Sequence, residues 1–257
     1  MRRRRRAHLP RAATRAPRSH TGAAAYGATH APRVRIAGGG RLLLAERIPL
    51  HPRGRDGYTA RVEASLVNWL LVRDLDGDDE PEVALLLTWG GTYCCYWSRV
   101  YRFVAGRYIA SVHWWGDNQA RPRLRDLNGD RRPQLVSVDS RFAALTSHAY
   151  VFNPIQIWSY ASGRFTDVTR RYPRRIEGNA RRLWRYYATH RRNRTARYVL
   201  AAWAADQYLL GRPRIAERGL QFALRRGDLN QGVGGPHDPR AYLRSLKRFL
   251  RNTGYIR

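Results

Sequence analysis

Apolar residues in the first two thirds of the chain follow the short, dense pattern of β-strands. Runs rich in β-branched and aromatic residues are separated by Gly, Asp or Asn, which is typical of antiparallel strands joined by turns. Short runs lie at 34–36 and 42–44, and Gly38 to Gly40 between them predicts a turn. Longer runs lie at 64–72, 83–89, 93–104, 108–115, 134–138, 155–160 and 165–168.

After Pro173 the apolar residues recur at helical spacing instead. Asn179 is the expected N-cap of a first helix and Thr195 of a second. Asp238 followed by Pro239 predicts the start of the last helix, and a weaker helix is expected around Phe222. The apolar stripes of these helices favour a packed core over a ligand platform.

Three segments follow from these patterns. Residues 1–32 mix Arg, Ala, Pro and Ser without periodicity and predict a disordered basic tail. Residues 33–173 predict an antiparallel β-repeat domain, and residues 174–257 predict a helical C-terminal subdomain. Strands first and helices last define an α+β fold class.

Two short acidic loops, at 74–78 and 126–130, stand 52 residues apart, and each lies between apolar runs. Two hairpins further along match with an offset of 57, around Gly106 and Gly163. The difference places about five extra residues in the second copy, most simply between Arg141 and Pro154. The sequence therefore predicts two copies of one β-unit.

The first loop carries the side chains that a hard cation needs. Asp74, Asp76 and Asp78 occupy loop positions 1, 3 and 5, with Gly at position 4 for the bend. Glu80 offers its carbonyl at position 7, and Glu82 adds a carboxylate at position 9. Like charges held this close repel, so a divalent cation would stabilise the loop. The alternative is a solvated turn that Asp and Gly simply suit.

The second loop is a weaker candidate. It keeps Asp126, Asn128 and Asp130, but position 9 is Gln134 and positions 6 and 7 are arginines. Fewer negative charges and adjacent guanidinium groups lower the expected affinity for Ca²⁺. The alternative is a turn held by side-chain hydrogen bonds alone.

The two loops with their flanks, 72–83 and 124–135, resemble the FG-GAP/VCBS-type repeat of integrin-like β-propellers and bacterial extracellular proteins. The resemblance covers roughly residues 60–170. It implies two propeller-blade-like units, Ca²⁺ in the loop between two strands, and a secreted or cell-envelope protein with a protein or glycan ligand. By position it nominates Asp74, Asp76, Asp78 and Glu82, and in the second loop Asp126, Asn128 and Asp130.

A closed propeller needs about four blades or more, and the sequence contains two clear units. We therefore expect an open or stacked antiparallel assembly, with its exposed side covered by the C-terminal helices. The arginines after Met1 resemble the start of a signal peptide, but no apolar stretch follows, so no export signal is expected in this chain. No transmembrane segment is expected either.

The formal net charge of +29 lies in the two flanks of the chain, because residues 60–170 hold 13 arginines against 12 acidic residues. Lys247 is the single lysine, so the excess is almost purely arginine. A polyanion binder, for nucleic acid or an anionic envelope polymer, is therefore an alternative function. A GC-rich coding bias explains the same composition.

Signals for catalysis are sparse. The sequence lacks Gly-x-Ser-x-Gly, His-Glu-x-x-His and phosphate-binding Gly-Lys-Ser/Thr motifs. His113 and Asp117 could serve a hydrolase or lyase, although a histidine beside core tryptophans is the more ordinary interpretation. Cys94 and Cys95 are adjacent, which favours two small strand residues over a vicinal disulfide. The sequence predicts a non-catalytic, Ca²⁺-stabilised β-repeat protein.

Overall fold

The computed structural model describes residues 22–26, 32–48, 66–88, 95–145, 152–191, 194–230, 232 and 236–256. Within these ranges the protein is α+β, with three antiparallel sheets followed by four helices, which confirms the predicted fold class. None of the three described sheets closes into a barrel.

The first sheet has three strands in the order β1-β2-β3, namely β1 (Gly22–Tyr26), β2 (Arg33–Gly38) and β3 (Arg41–Arg47). Gly39 and Gly40 have φ of 57° and 75° and form the predicted turn. β1 lies within the segment 1–32, where we expected no strand. Its alanine-rich sequence carries little β signal, and its backbone pairs with β2.

The second sheet is a four-stranded meander in chain order, β4-β5-β6-β7. The strands are β4 (Leu66–Arg73), β5 (Glu82–Thr88), β6 (Tyr96–Val104) and β7 (Arg107–Gly116). Every residue of β5 is buried. Leu85 and Leu87 pack with Ile36 of the first sheet, whereas Leu86 packs with Leu135 of the third. The sheets are therefore stacked, with the second sheet in the middle.

The third sheet repeats the meander with β8 (Arg123–Arg125), β9 (Gln134–Val138), β10 (Ile155–Ala161) and β11 (Arg164–Asp167). The β6–β7 turn and the β10–β11 turn have matching backbones. Ala105 and Ser162 both have φ of 50°, and each is followed by a glycine with φ above 80°. Two equivalent strand–loop–strand–hairpin units are therefore present in the described chain.

The four helices are α1 (Pro173–Thr189), α2 (Ala196–Leu209), α3 (Pro213–Arg225) and α4 (Pro239–Asn252). The expected cap Asn179 is wrong, because α1 begins at Pro173, whose fixed φ suits the first helical position. Thr195 precedes α2 as predicted but makes no side-chain cap bond. Asp238 caps α4, since its Oδ2 accepts from the N–H of Ala241 at 2.6 Å.

α2 is the centre of the helical subdomain, with every residue from Ala196 to Tyr208 buried. The other helices pack their apolar faces around it. The subdomain meets the β-units at the β9–β10 connection: Phe142 joins the helical core, and Tyr255 donates to Asp139 Oδ2 at 2.9 Å. The helices also contact the start of β10, where the N–H of Ile155 donates to Asp206 Oδ1 at 3.3 Å. That the helices cover an exposed sheet face stays a prediction. None of the described helices is long and apolar enough to cross a membrane.

Arg197 is a buried arginine inside this subdomain, with 1% of its surface exposed. Its guanidinium donates to the carbonyls of Leu229, Pro236 and His237 at 2.7–2.8 Å. The group also lies over the ring of Tyr242, 4.7 Å from the centroid. These bonds fix the backbone that leads into α4.

Cys95 lies just before β6, is buried, and is disulfide-bonded. The sequence favoured a reduced strand residue, but Cys95 is outside the strand, so the alternation that argued against a bond does not apply. The chain has two cysteines, and Cys94 lies outside the described residues.

Candidate metal-binding loops

The first acidic loop connects β4 to β5 and is organised by Asp74. Its Oδ1 accepts from the N–H of Gly77 at 2.6 Å, and its Oδ2 accepts from the N–H of Asp79 at 3.0 Å. Asp78 Oδ1 in turn accepts from the N–H of Glu80 at 2.9 Å. The carboxylates thus fold the backbone around themselves.

The second loop, between β8 and β9, repeats this pattern bond for bond. Asp126 accepts from the N–H groups of Gly129 and Arg131 at 2.7 and 3.0 Å, and Asp130 accepts from that of Arg132 at 2.8 Å. Desolvation raises the pKa of Asp126, but these backbone donors outweigh it and hold the pKa below its ordinary value.

Backbone dihedrals confirm that the two loops have one conformation. Gly77 and Gly129 both have φ of 79°, and Asp79 and Arg131 have φ of 67° and 66°. A left-handed residue other than glycine is uncommon, so its recurrence two positions after each glycine marks a shared turn. The recurrence predicted from sequence spacing is therefore a recurrence of structure.

Position 9 holds each loop against the sheet. Glu82 Oε2 accepts from the N–H of Leu75 at 2.8 Å, and Gln134 Oε1 accepts from the N–H of Leu127 at 2.9 Å. Glu82 is 1% exposed, and burial raises its pKa to about 8. The Leu75 N–H lowers that pKa, while the neighbouring aspartates raise it further. The second copy replaces this buried carboxyl with a neutral amide.

Arg102 of β6 reaches into the first loop. Its guanidinium lies 3.5 Å from Asp76, 3.2 Å from Asp78 and 4.0 Å from Glu82. Within the described structure, buried Asp76 Oδ1 and Arg102 Nε have no hydrogen-bond partner. One guanidinium therefore lies near three carboxylates, and one carboxylate oxygen of the loop is still without a hydrogen-bond partner among the described residues.

The first loop fits a divalent cation, because its carboxylate oxygens are clustered and one of them has no partner in the described structure. Carboxylate oxygens of Asp74, Asp76 and Asp78 lie within 4.8 Å of one another, and the side chain of Asp76 is 5% exposed. Its unpartnered oxygen is a ligand atom that the protein itself does not satisfy. Glu82 is outside this group, since its Oε2 accepts from the N–H of Leu75, and the N–H of Glu80 is directed at Asp78.

The second loop fits a cation less well. Asn128 directs its amide nitrogen, not its oxygen, at Asp130 Oδ2, at 2.8 Å. Asp126 accepts the same backbone hydrogen bonds as Asp74, so the contact between Asn128 and Asp130 is what distinguishes the second loop. These contacts match the alternative of a turn held by its own side chains.

The two units also meet at the first loop, which the sequence did not reveal. Asp76 Oδ2 accepts from the N–H of Ser162 in the β10–β11 turn at 2.9 Å. Arg132 of the second loop covers Gly77, where an added Cβ would come within 2.2 Å of its Nε. Arg132, assigned from sequence to the second loop, thus lies against the first.

His113 lies in an aromatic cluster between the two units. Its ring is 4.3 Å from Trp115 and from Trp158 and 4.8 Å from Phe165. Burial lowers its pKa to about 4, so it is neutral at physiological pH. Asp117 caps a short 3₁₀ segment by accepting from the N–H of Gln119. In this structure His113 is a packing residue and Asp117 is a capping residue.

Comparison with known proteins finds a distant relative. The chain is 29% identical over 200 residues, or 73% of its length, to uncharacterized protein y4bJ of Sinorhizobium fredii (strain NBRC 101917 / NGR234). The match covers 29% of that protein's length, so the chain spans less than a third of it. No family model matches the chain. No solved structure matches it.

Proposed function

We propose that the protein is a non-catalytic β-repeat protein whose first acidic loop binds Ca²⁺. The observation that carries the proposal is the unsatisfied Asp76 Oδ1 beside the clustered oxygens of Asp74 and Asp78. Asp74, Asp76 and Asp78 would hold the ion, with the carbonyl of Glu80 and the carboxylate of Glu82 as further oxygen donors. The ion would supply positive charge to the loop and no chemistry of its own.

The role of the ion in this proposal is structural. Asp76 contacts the turn at Ser162, so the loop that would hold Ca²⁺ also joins the two β-units. Neutralising the carboxylates would stabilise that junction as well as the loop. Two four-stranded meanders stacked face to face support the interpretation as propeller-blade-like units of the FG-GAP/VCBS type. A secreted or cell-envelope protein with a protein or glycan ligand is the corresponding biological setting.

Thermal unfolding with and without calcium tests the proposal. Ca²⁺ at about 100 times its Kd should stabilise the folded state by about 2.7 kcal/mol through mass action. Asp76→Ala should abolish the difference between calcium and EDTA, whereas Asp130→Ala in the second loop is the matched control and should retain it. An unaltered protein whose melting temperature is the same in calcium and in EDTA would refute the proposal.

A further inference from the structure

A groove of ≈ 650 Å³ lies between α1 and α3, with residues of α2 at its base. This volume falls within the range of small-molecule sites. The groove is separate from the acidic loops, since all the residues that line it belong to the helical subdomain. Ligand binding in this groove would therefore not depend on calcium in the acidic loops.

The base of the groove is aromatic. The rings of Trp184 and Trp203 lie 4.7 Å apart at 40°, and Phe222 and Ile215 are each 39% exposed beside them. Gly219 makes this arrangement possible, because a Cβ there would come within 2.3 Å of the Trp203 indole. Large apolar side chains left open in a concave surface are typical of binding sites.

The charge around the groove has one dominant sign. Its lining includes one acidic residue, Glu177, which pairs with Arg212 at 3.1 Å. In the described part of the chain no salt bridge joins the remaining arginines of the lining to an acid. These arginines are Arg181, Arg185, Arg218 and Arg225. Four guanidinium groups around an aromatic floor complement an anion with an apolar body.

We propose that this groove binds a small amphipathic anion: an aromatic carboxylate or sulfonate. Its aromatic body would pack against Trp184, Trp203 and Phe222, where ring stacking favours an aromatic over an aliphatic group. Its anionic group would contact the arginines of α1 and α3 that line the groove.

Fluorescence titration with 1-anilinonaphthalene-8-sulfonate tests the proposal, with neutral N-phenyl-1-naphthylamine as the same ring system lacking the sulfonate. We expect saturable one-to-one binding of the sulfonate, about tenfold tighter than the neutral probe and weakened by salt. 2-Naphthoate should displace it, and 2-naphthamide should displace it at least about tenfold less well. EDTA should leave the affinity unchanged, so failure here is distinct from failure of the calcium proposal.

Variants locate the site. Phe222→Ala should weaken both probes, whereas Arg181→Gln combined with Arg218→Gln should weaken the sulfonate selectively, by about tenfold. The matched control is Arg174→Gln with Arg214→Gln, which removes two exposed arginines of α1 and α3 outside the groove. Equal losses in the two double variants, equal affinity for the two probes, or no effect of Phe222→Ala would each overturn the proposal. The probe comparison and salt titration use the unaltered protein and need no variant to fold.

Discussion

Glu82→Gln converts the first loop to the position-9 chemistry of the second, and its effect should depend on pH. In the absence of metal, Glu82 is a buried carboxyl whose pKa is raised to about 8. Gln134 shows that a glutamine at this position accepts the same backbone N–H without a charge. The substitution therefore removes the ionisation and retains the hydrogen bond.

The direction and magnitude of this pH dependence follow from the linkage between proton binding and folding. A carboxyl with a raised pKa binds its proton more tightly in the folded state, so its contribution to stability is largest at low pH. That contribution falls as pH rises from about 4.5 through about 8. Each tenfold difference in proton affinity between the folded and unfolded states corresponds to about 1.4 kcal/mol, which sets an upper bound of about 5 kcal/mol. Relaxation of the neighbouring exposed loop reduces this, and we expect Glu82→Gln to be about 2 kcal/mol more stable than the unaltered protein at pH 8.5.

Urea unfolding in EDTA at pH 5 and at pH 8.5 measures this difference. At pH 5 the two proteins should have nearly equal free energies of unfolding, because Glu82 is protonated and resembles glutamine. The advantage of the variant should then grow with pH. A difference that is independent of pH, or a variant that loses stability as pH rises, would refute the reasoning.

Two further predictions concern the scaffold. Arg197→Met should lower the free energy of unfolding by about 3 kcal/mol, because it leaves buried carbonyls unpaired; Arg194→Met, at an exposed arginine, should cost nearly nothing, and equal urea midpoints would contradict this. Gly116→Ala should cost about 3 kcal/mol, since φ is 101° and the new methyl would lie 2.4 Å from Ser140 Cβ. Gly106→Ala, with φ of 87° and open space, should cost about 1 kcal/mol, so comparable melting temperatures would count against the packing argument.

Local patterns predicted much of this fold. The strand runs, the β2–β3 turn and the α4 cap at Asp238 depend on neighbouring residues, and the described structure has strands within the predicted runs and the turn and cap where they were expected. Parts of the predicted runs, at 64–65, 89 and 93–94, lie outside the described residues. The start of α1 was misplaced because both Pro173 and Asn179 are good helix-start residues. Asn179 instead lies within α1, where its Nδ2 donates to buried Asp206 Oδ2 at 2.7 Å. Only the tertiary fold decides between such signals.

In the candidate site, too, local sequence predicted some features, and others depend on the tertiary fold. Spacing predicted the carboxylates of the first loop and the shared conformation of the second. It gave no sign of Arg102, which follows Asp78 by 24 residues and reaches the loop from β6. Nor did it indicate that Arg132 covers Gly77. These contacts depend on how the sheets stack, and no local pattern encodes that.

Isothermal titration of the metal-free protein with Ca²⁺ tests the central claim most directly. We expect one ion to bind with a stoichiometry close to one per chain. Binding should be lost in Asp76→Asn and kept in Asp130→Asn, which makes the same change in the second loop. No saturable binding at millimolar calcium, or binding that survives Asp76→Asn, would contradict the account.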